Sequence, residues 1–287
     1  MLTIQAPAKI NLTLEVLSKR GDDFHEIRSV IQTINLCDSL HFELTEDISF
    51  NWDNPVIIPE ESLAFKAVML LRESIGCTDG ALVQINKRIP LVSGLGGDSS
   101  DAAAVLLGLN RLWNLGLSRE ELSGLAARLG SDVTFFLYGG TALLEGRGEI
   151  VNQLLPIPNM WVVLLVPPVS RTDGKTARLY ASLKPEHYTG GEISDRLESL
   201  LTSGSEIESS VLFNVFDEVA ENNFPGLDEY RQQFLQAGAQ EVHLAGSGPT
   251  LFTLLKNKAQ AEDLYNCLKG NGLETYLADS LTAVDYK

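Results

Sequence analysis

Between Pro90 and Asp101 the chain reads PLVSGLGGDSSD, with Gly94, Gly96 and Gly97 crowded into four positions ahead of the apolar run AAAVLLGLNRLW. Glycine admits backbone angles that other residues avoid and lets a chain approach a ligand closely. Upstream, ALVQINKRIP alternates apolar and polar side chains, which predicts a strand. Downstream, Ala102, Val105, Leu106, Leu109 and Trp113 recur at steps of three and four. That spacing predicts a helix capped by Ser99 or Ser100, with Asp101 in its first turn. A strand, glycine loop and helix in that order gather unpaired N–H groups at the positive end of a helix dipole, an arrangement that suits phosphate. Many glycine loops only turn the chain, so this segment alone leaves both readings open.

Two familiar phosphate loops fit poorly. A Walker A loop needs G-x-x-x-x-G-K-[ST], and no such lysine follows Gly96 or Gly97; the dinucleotide fingerprint G-x-G-x-x-G meets Ser99 at its last glycine and lies mid-chain. The balance of 22 basic against 38 acidic residues, a net charge of −16, opposes nucleic acid and anionic membrane as partners. A phosphate ligand must then meet local positive charge from Lys9, Arg20, Lys87, Arg88 or backbone N–H groups. Cys37, Cys77 and Cys267 are far apart and the four histidines have no zinc spacing, which predicts reduced thiols and no structural metal. No apolar run approaches the ~18 residues of a membrane span and the start MLTIQAPAKINL has no leader pattern. A cytoplasmic protein, monomer or homodimer, with a small-molecule ligand is the expectation.

At 287 residues two domains are favoured. In KINLTLEV a period of two predicts a half-buried strand with Lys9 and Asn11 together on the polar face. VIQTINL and SLHFEL read as two further strands, SLAFKAVMLLRESIG as a helix closed by glycine, and SREELSGLAARLG as a helix with a Ser118–Glu121 capping box, ending at Gly130. SDVTFFLYGG is shorter, and GTALLEGRGEIV reads as strands around a turn. The prolines of NQLLPIPN mark the boundary, giving domains 1–155 and 156–287. Beyond it come strand MWVVLLV, a helical region to about residue 204, helices in VLFNVFDEVAEN and LDEYRQQFLQAG, strands EVHLAGSG and TLFTLLK, helix AQAEDLYNCLKGNG and strand ETYLADSL. That order suggests a ferredoxin-like α+β sandwich.

Pro90, Gly94-Leu95-Gly96-Gly97, Ser99 and Ser100 follow the pattern P-x-x-x-G-L-G-[SG]-x-[SA], with APAKINLTLEV before it and AGSGPTLF after it. On these three ordered motifs the sequence resembles the GHMP family of small-molecule kinases. The resemblance implies an α+β (α/β two-lobed) fold, a ribosomal-protein-like N-terminal lobe plus a ferredoxin-like C-terminal lobe, with ATP, Mg2+ and substrate in the cleft between. It makes Pro90, Gly94, Leu95, Gly96, Gly97, Ser99 and Ser100 the ATP-binding loop. Asp132 becomes the group that accepts the acceptor's proton, though Asp after Gly-Ser is commonly a helix N-cap. Lys9 becomes the lysine that orients Asp132 and offsets phosphoryl charge, against the plainer reading of a solvated strand lysine.

Arg20 to Glu26, RGDDFHE, resembles the branch of that family whose acceptor carries a cytidine diphosphate. This implies that Phe24 stacks on the base, that His25 hydrogen-bonds its polar edge, and that Tyr180 closes the sandwich with Thr172 nearby, although RTDGK departs from the usual P-x-x-x-S-T spacing. Asn11 is implied at the substrate's diphosphate or hydroxyls, and Gly246, Ser247 and Gly248 at the cleft. Three departures stand out: Val92 where relatives carry glycine, Asp98 where they carry glycine or serine, and Ser62 for a common asparagine. Asp98 is expected to turn outward or to cap a helix. Other readings are a homoserine or mevalonate acceptor, which RGDDFHE opposes, and a silent nucleotide-binding module, which the joint presence of Lys9 and Asp132 opposes.

Overall fold

The computed structural model describes residues 1–53, 58–170, 174–207 and 209–282. The first half begins with β1 (Leu2–Asn11), β2 (Thr13–Lys19), β3 (His25–Thr45) and β4 (Ile48–Trp52). It continues with α1 (Leu63–Ile75), β5 (Gly80–Asn86), α2 (Gly97–Leu112), α3 (Arg119–Leu129), α4 (Ser131–Phe136), β6 (Thr141–Glu145) and β7 (Ile150–Gln153). VIQTINL and SLHFEL, expected as two strands, form the single strand β3. A register shift between Pro7 and Ala8 of β1 lets the pair bend without breaking. α1 begins at Ser62, whose Oγ accepts from the Phe65 N–H at 3.1 Å, and stops at Gly76 in the left-handed region, as glycine allows. The capping box of α3 is present in both directions.

The second half runs β8 (Trp161–Leu165), α5 (Lys175–Ser182), α6 (Glu192–Ser203), β9 (Phe213–Asn214), α7 (Ala220–Asn223), α8 (Leu227–Gln236), β10 (His243–Leu244), β11 (Leu251–Leu255), α9 (Lys258–Gly270) and β12 (Thr275–Asp279). Its four-stranded sheet has the order β10-β11-β8-β12, antiparallel at every pairing, which is the split arrangement of a ferredoxin-like unit. VLFNVFDEVAEN, expected as a helix, instead gives β9, a 3-10 turn and the short α7. The cause is Asn214, whose amide donates to the carbonyls of Leu244 and Gly246 at 2.9 and 2.8 Å while its oxygen accepts from Phe216 N–H.

The first sheet joins β1 to β7 and then recruits β9, which pairs in parallel with β2. One apolar core lies between that sheet and α1 to α4; α2 comes close enough that a Cβ on Gly108 would stand 2.5 Å from the Phe42 ring. A second core draws on both sheets, with Ala8, Ile10, Leu12 and Val30 meeting Val162, Leu164, Leu197 and Phe252. The strand KINLTLEV, expected half-buried, is covered on both faces: Asn11, Thr13 and Glu15 are buried too. The start of α6 covers the polar side, where Glu15 accepts the Ser194 N–H at 2.7 Å and Thr13 bonds the Ser194 hydroxyl at 2.8 Å.

Candidate active site

The glycine loop arrives at α2 without a side-chain cap. Gly96, at φ +75°, is the N-cap, and Ser99 and Ser100, expected to cap, stand inside the first turn and a half. The glycine turns the chain so tightly that the helix starts earlier, and the N–H groups of Gly97, Asp98 and Ser99 have no intrahelical acceptor. Gly94, Gly96 and Gly97, with Pro90 and Ser99, line a cavity of about 810 Å³. Leu95 and Ser100, expected in the ATP loop, are instead buried behind it, Leu95 in the apolar core. The Leu95 carbonyl accepts the Lys9 N–H at 2.9 Å, so the loop is fastened to β1 through its backbone. The Ser100 Oγ is buried with no hydrogen-bond partner. Asp101, expected on the first turn, is wholly buried and ion-paired with Lys87 at 2.6 Å.

Val92 holds φ +51°, a conformation costly to a β-branched residue by about 1–3 kcal/mol and cheap for glycine. The loop geometry is thus the one a glycine would favour there. Asp98 lines the same cavity and also caps a neighbour: its Oδ1 accepts the Leu63 N–H, the first of α1, at 3.3 Å.

Packed against the loop, where a Cβ on Gly96 would stand 3.0 Å from its Cγ, Lys9 is 5 % exposed and its Nζ donates to Asn11 Oδ1 at 2.7 Å. The same ammonium lies 3.6 Å from Asp132 Oδ2. Asn11 is held in turn by Ser29 Oγ at 2.8 Å. The cap of α4 is Gly130, not Asp132, so the plainer reading of Asp132 as an N-cap is overturned; its carboxylate belongs to the first turn and faces the cavity. Lys9 is likewise no solvated strand lysine.

Gly246 and Ser247 line the cavity as expected; Gly248 stands behind them, its carbonyl accepting from Lys175 Nζ. The two glycine loops touch: a Cβ on Gly94 would stand 2.2 Å from the Ala245 carbonyl, and one on Gly246 would stand 2.8 Å from Lys9 Nζ. At the far end, His25 stacks on Tyr180 with centroids 4.9 Å apart, and Tyr180 meets Phe216 edge-on. Phe24 is 50 % exposed and backed by the Arg147 guanidinium, 4.7 Å from its ring. The His25–Tyr180 spacing leaves no gap for a base, so a stacking platform is offered by Phe24. Burial, with Lys19 nearby, pulls the His25 pKa below its usual value, favouring the neutral ring; burial and Asp132 push the Tyr180 hydroxyl up.

Thr172 lies outside the described residues. A threonine that does line the cavity is Thr176, whose hydroxyl bonds Ser247 Oγ at 2.9 Å. Its signal was available: Thr176 sits one helical turn before Tyr180. Lys175 was also missed. It is 6 % exposed, and its Nζ donates to Ser247 Oγ at 2.7 Å, Ser247 O at 3.0 Å and Gly248 O at 2.5 Å. Its signal was a lysine directly after Gly174 at a helix start, where the dipole disfavours a cation. Among the described residues no cluster of three or more His, Cys, Asp or Glu suits a metal ion, and no helix is long and apolar enough to cross a membrane.

A two-lobed α+β fold, with an uncapped glycine-turned helix start facing a buried lysine and a carboxylate, defines a phosphate-handling cleft. The chain belongs to the GHMP kinases: residues 62–140 match the N terminal domain of that family and residues 195–273 the C terminal one. It is an ATP-dependent small-molecule kinase. It is 51 % identical over 285 residues, 99 % of this chain and 100 % of the relative, to the 4-diphosphocytidyl-2-C-methyl-D-erythritol kinase of Dehalococcoides mccartyi. A crystal structure of 4-(cytidine 5'-diphospho)-2C-methyl-D-erythritol kinase superposes with TM-score 0.82 at 30 % identity, covering 97 % of this chain and 99 % of that one. Homoserine kinase from Cytophaga hutchinsonii, at TM-score 0.74 and 18 % identity over 99 % of this chain and 95 % of that one, shares the fold.

Proposed function

We propose that this kinase transfers the γ-phosphoryl group of ATP to the 2-hydroxyl of 4-diphosphocytidyl-2-C-methyl-D-erythritol, in the non-mevalonate route to isoprenoid precursors. The observation that carries the mechanism is the 3.6 Å approach of Lys9 Nζ to Asp132 Oδ2 inside the cavity that also holds the glycine loop and the Phe24–His25 pair. The full-length relative at 51 % identity supports the choice of acceptor. In this reading residues 1–155 hold the nucleotide and residues 156–287 close the substrate cleft.

The loop suits a triphosphate on a structural ground: at Gly94 and Gly96, which line the cavity, the space a Cβ would need is already taken, so the chain there meets a ligand with its backbone. Mg2+ would enter with the nucleotide, held mostly by phosphate and water, and would supply charge neutralisation; Asp98 and Asp132 are carboxylates of the cavity within reach of that role, and no cluster of three metal-ligating side chains occurs among the described residues. Asp132 accepts the proton of the acceptor hydroxyl as its oxygen bonds to phosphorus and the bond to the ADP oxygen breaks. Lys9 orients that carboxylate and balances charge on the transferring group, Asn11 fixes the Lys9 ammonium, and the N–H groups at the start of α2 stabilise the equatorial oxygens. Phe24 stacks on the cytosine, and neutral His25 offers one donor and one acceptor to its edge.

The test is ADP release with the cytidyl acceptor, mevalonate and homoserine in parallel, with Asp132→Asn as control. Turnover is expected on the cytidyl acceptor alone. The Asp132→Asn protein should still bind ATP while kcat falls by about 10²–10⁴-fold. Turnover only on another acceptor would overturn the substrate, and near-normal activity of the variant would overturn the role of Asp132.

A further inference from the structure

Lys175 is the second buried cation of the cavity, and neither the proposed proton transfer nor the glycine loop employs it. It projects from the first residue of α5, against the helix dipole, and all three of its hydrogen bonds end on Ser247 and Gly248. Those residues follow Gly246, whose missing Cβ would touch Lys9 Nζ, so the two ammonium groups flank one short loop. Two nearby cations, with no carboxylate on Lys175 among the described residues, are an unfavourable arrangement unless an anion comes between them.

We propose that Lys175 is an anion-binding residue of the second lobe, resting on the 247–248 carbonyls in the ligand-free cleft and turning to the phosphate oxygens of a bound nucleoside diphosphate. The proposal deepens the kinase reading and rests on it for the cytidyl partner only. The surroundings agree. Burial, with Lys9 nearby, lowers the Lys175 pKa to about 7, so a polyanion beside it would draw a proton onto the amine. The other titratable groups around the cavity are Asp132 on α4, His25 on β3, Tyr180 on α5 itself, Asp98 on α2, Lys19, Asp23, Lys87 and Arg147. The segments packed under α5 bring Asp217, paired with Arg231; Glu221, taken by the Gly226 and Asp228 N–H groups; and exposed Glu218.

The test is equilibrium binding of CDP and ADP, with cytidine and adenosine as uncharged controls, to the native protein, Lys175→Met and Lys175→Gln. Thermal unfolding would verify that each variant is folded. Both variants should lose about tenfold or more in diphosphate affinity and stay within about twofold for the nucleosides. A loss confined to CDP places the site on the acceptor, and one confined to ADP places it on the donor; both support the proposal. Between pH 7 and 9 the native affinity for that diphosphate should weaken by up to about tenfold per unit as the ammonium is lost, and the variants should be flat. Equal losses for nucleosides and diphosphates, recovery in Lys175→Gln through its amide donor, or no loss at all would overturn it. Neither arm needs turnover, so a wrong acceptor would leave the ADP result standing.

Discussion

Lys87, in the wall of the cavity, shows how a single side chain can hold up a site. Its ammonium sits between Asp38 Oδ2 at 2.5 Å and Asp101 Oδ2 at 2.6 Å, and Asp38 Oδ1 also accepts the N–H groups of Arg88 and Ile89. Burial alone would lower its pKa, but Asp101 and Asp38 outweigh that and raise it, while burial pushes Asp101 well above the usual carboxylate range. The three residues tie the end of β5 to β3 and α2, the elements that bracket the glycine loop. Lys87→Met would leave two carboxyls facing each other in the interior. A loss of about 3–5 kcal/mol is expected in chemical unfolding, because one partner of a buried ion pair is gone. That deficit should shrink as pH falls. The orphaned carboxyls would have folded-state pKa values above their unfolded ones, so the folded variant gains stability on protonation. A variant as stable as the native protein at pH 7 would show the triad to be dispensable.

Among the elements, α2 decides most, because it carries the loop at one end and the core at the other. Its Gly108 lies against the Phe42 ring of β3, where a Cβ would be 2.5 Å from Cζ. Alanine would raise helix propensity by about 1 kcal/mol, yet overpacking against a wholly buried ring costs about 1–3 kcal/mol. Gly108→Ala should therefore destabilise by up to about 2 kcal/mol in urea unfolding, and Phe42→Leu in the same chain should recover part of it. Local signals of this kind were readable where they are self-contained: the Ser118 box and the Gly76 stop both use partners within five residues. Residues 211–222 misled because their apolar spacing suits a helix while Asn214 is claimed by carbonyls at Leu244 and Gly246. The polar face of β2 misled for a similar reason, since its cover comes from α6, nearly 180 positions away.

At the scale of the molecule, the two halves share the core that runs from Ala8 and Ile10 to Val162 and Phe252. They are also stitched by the β2–β9 pairing and by a bridge between Ile34 and Ser280. Calorimetry should accordingly show one cooperative transition with equal calorimetric and van't Hoff enthalpies, and two separated transitions would contradict the shared core. The same long-range assembly explains what was visible of the site. Lys9, Asp132 and the glycines could be named because each stands in a recognisable motif, and folding brings them to one cavity. Lys175 and Thr176 stood in no such motif, and their partners lie on a loop more than 70 residues further on.

The near-contact of Gly94 with the Ala245 carbonyl limits what can stand at position 94. The two loops meet with clearance for a hydrogen atom and nothing larger, and the Thr250 N–H donates to the Ser93 carbonyl at 3.3 Å. The loop that carries Ala245 is in turn tied to α5, through Ser247, by the side chains of Lys175 and Thr176. A methyl group at position 94 would thus be felt on both loops at once, and through Ser247 at the start of α5.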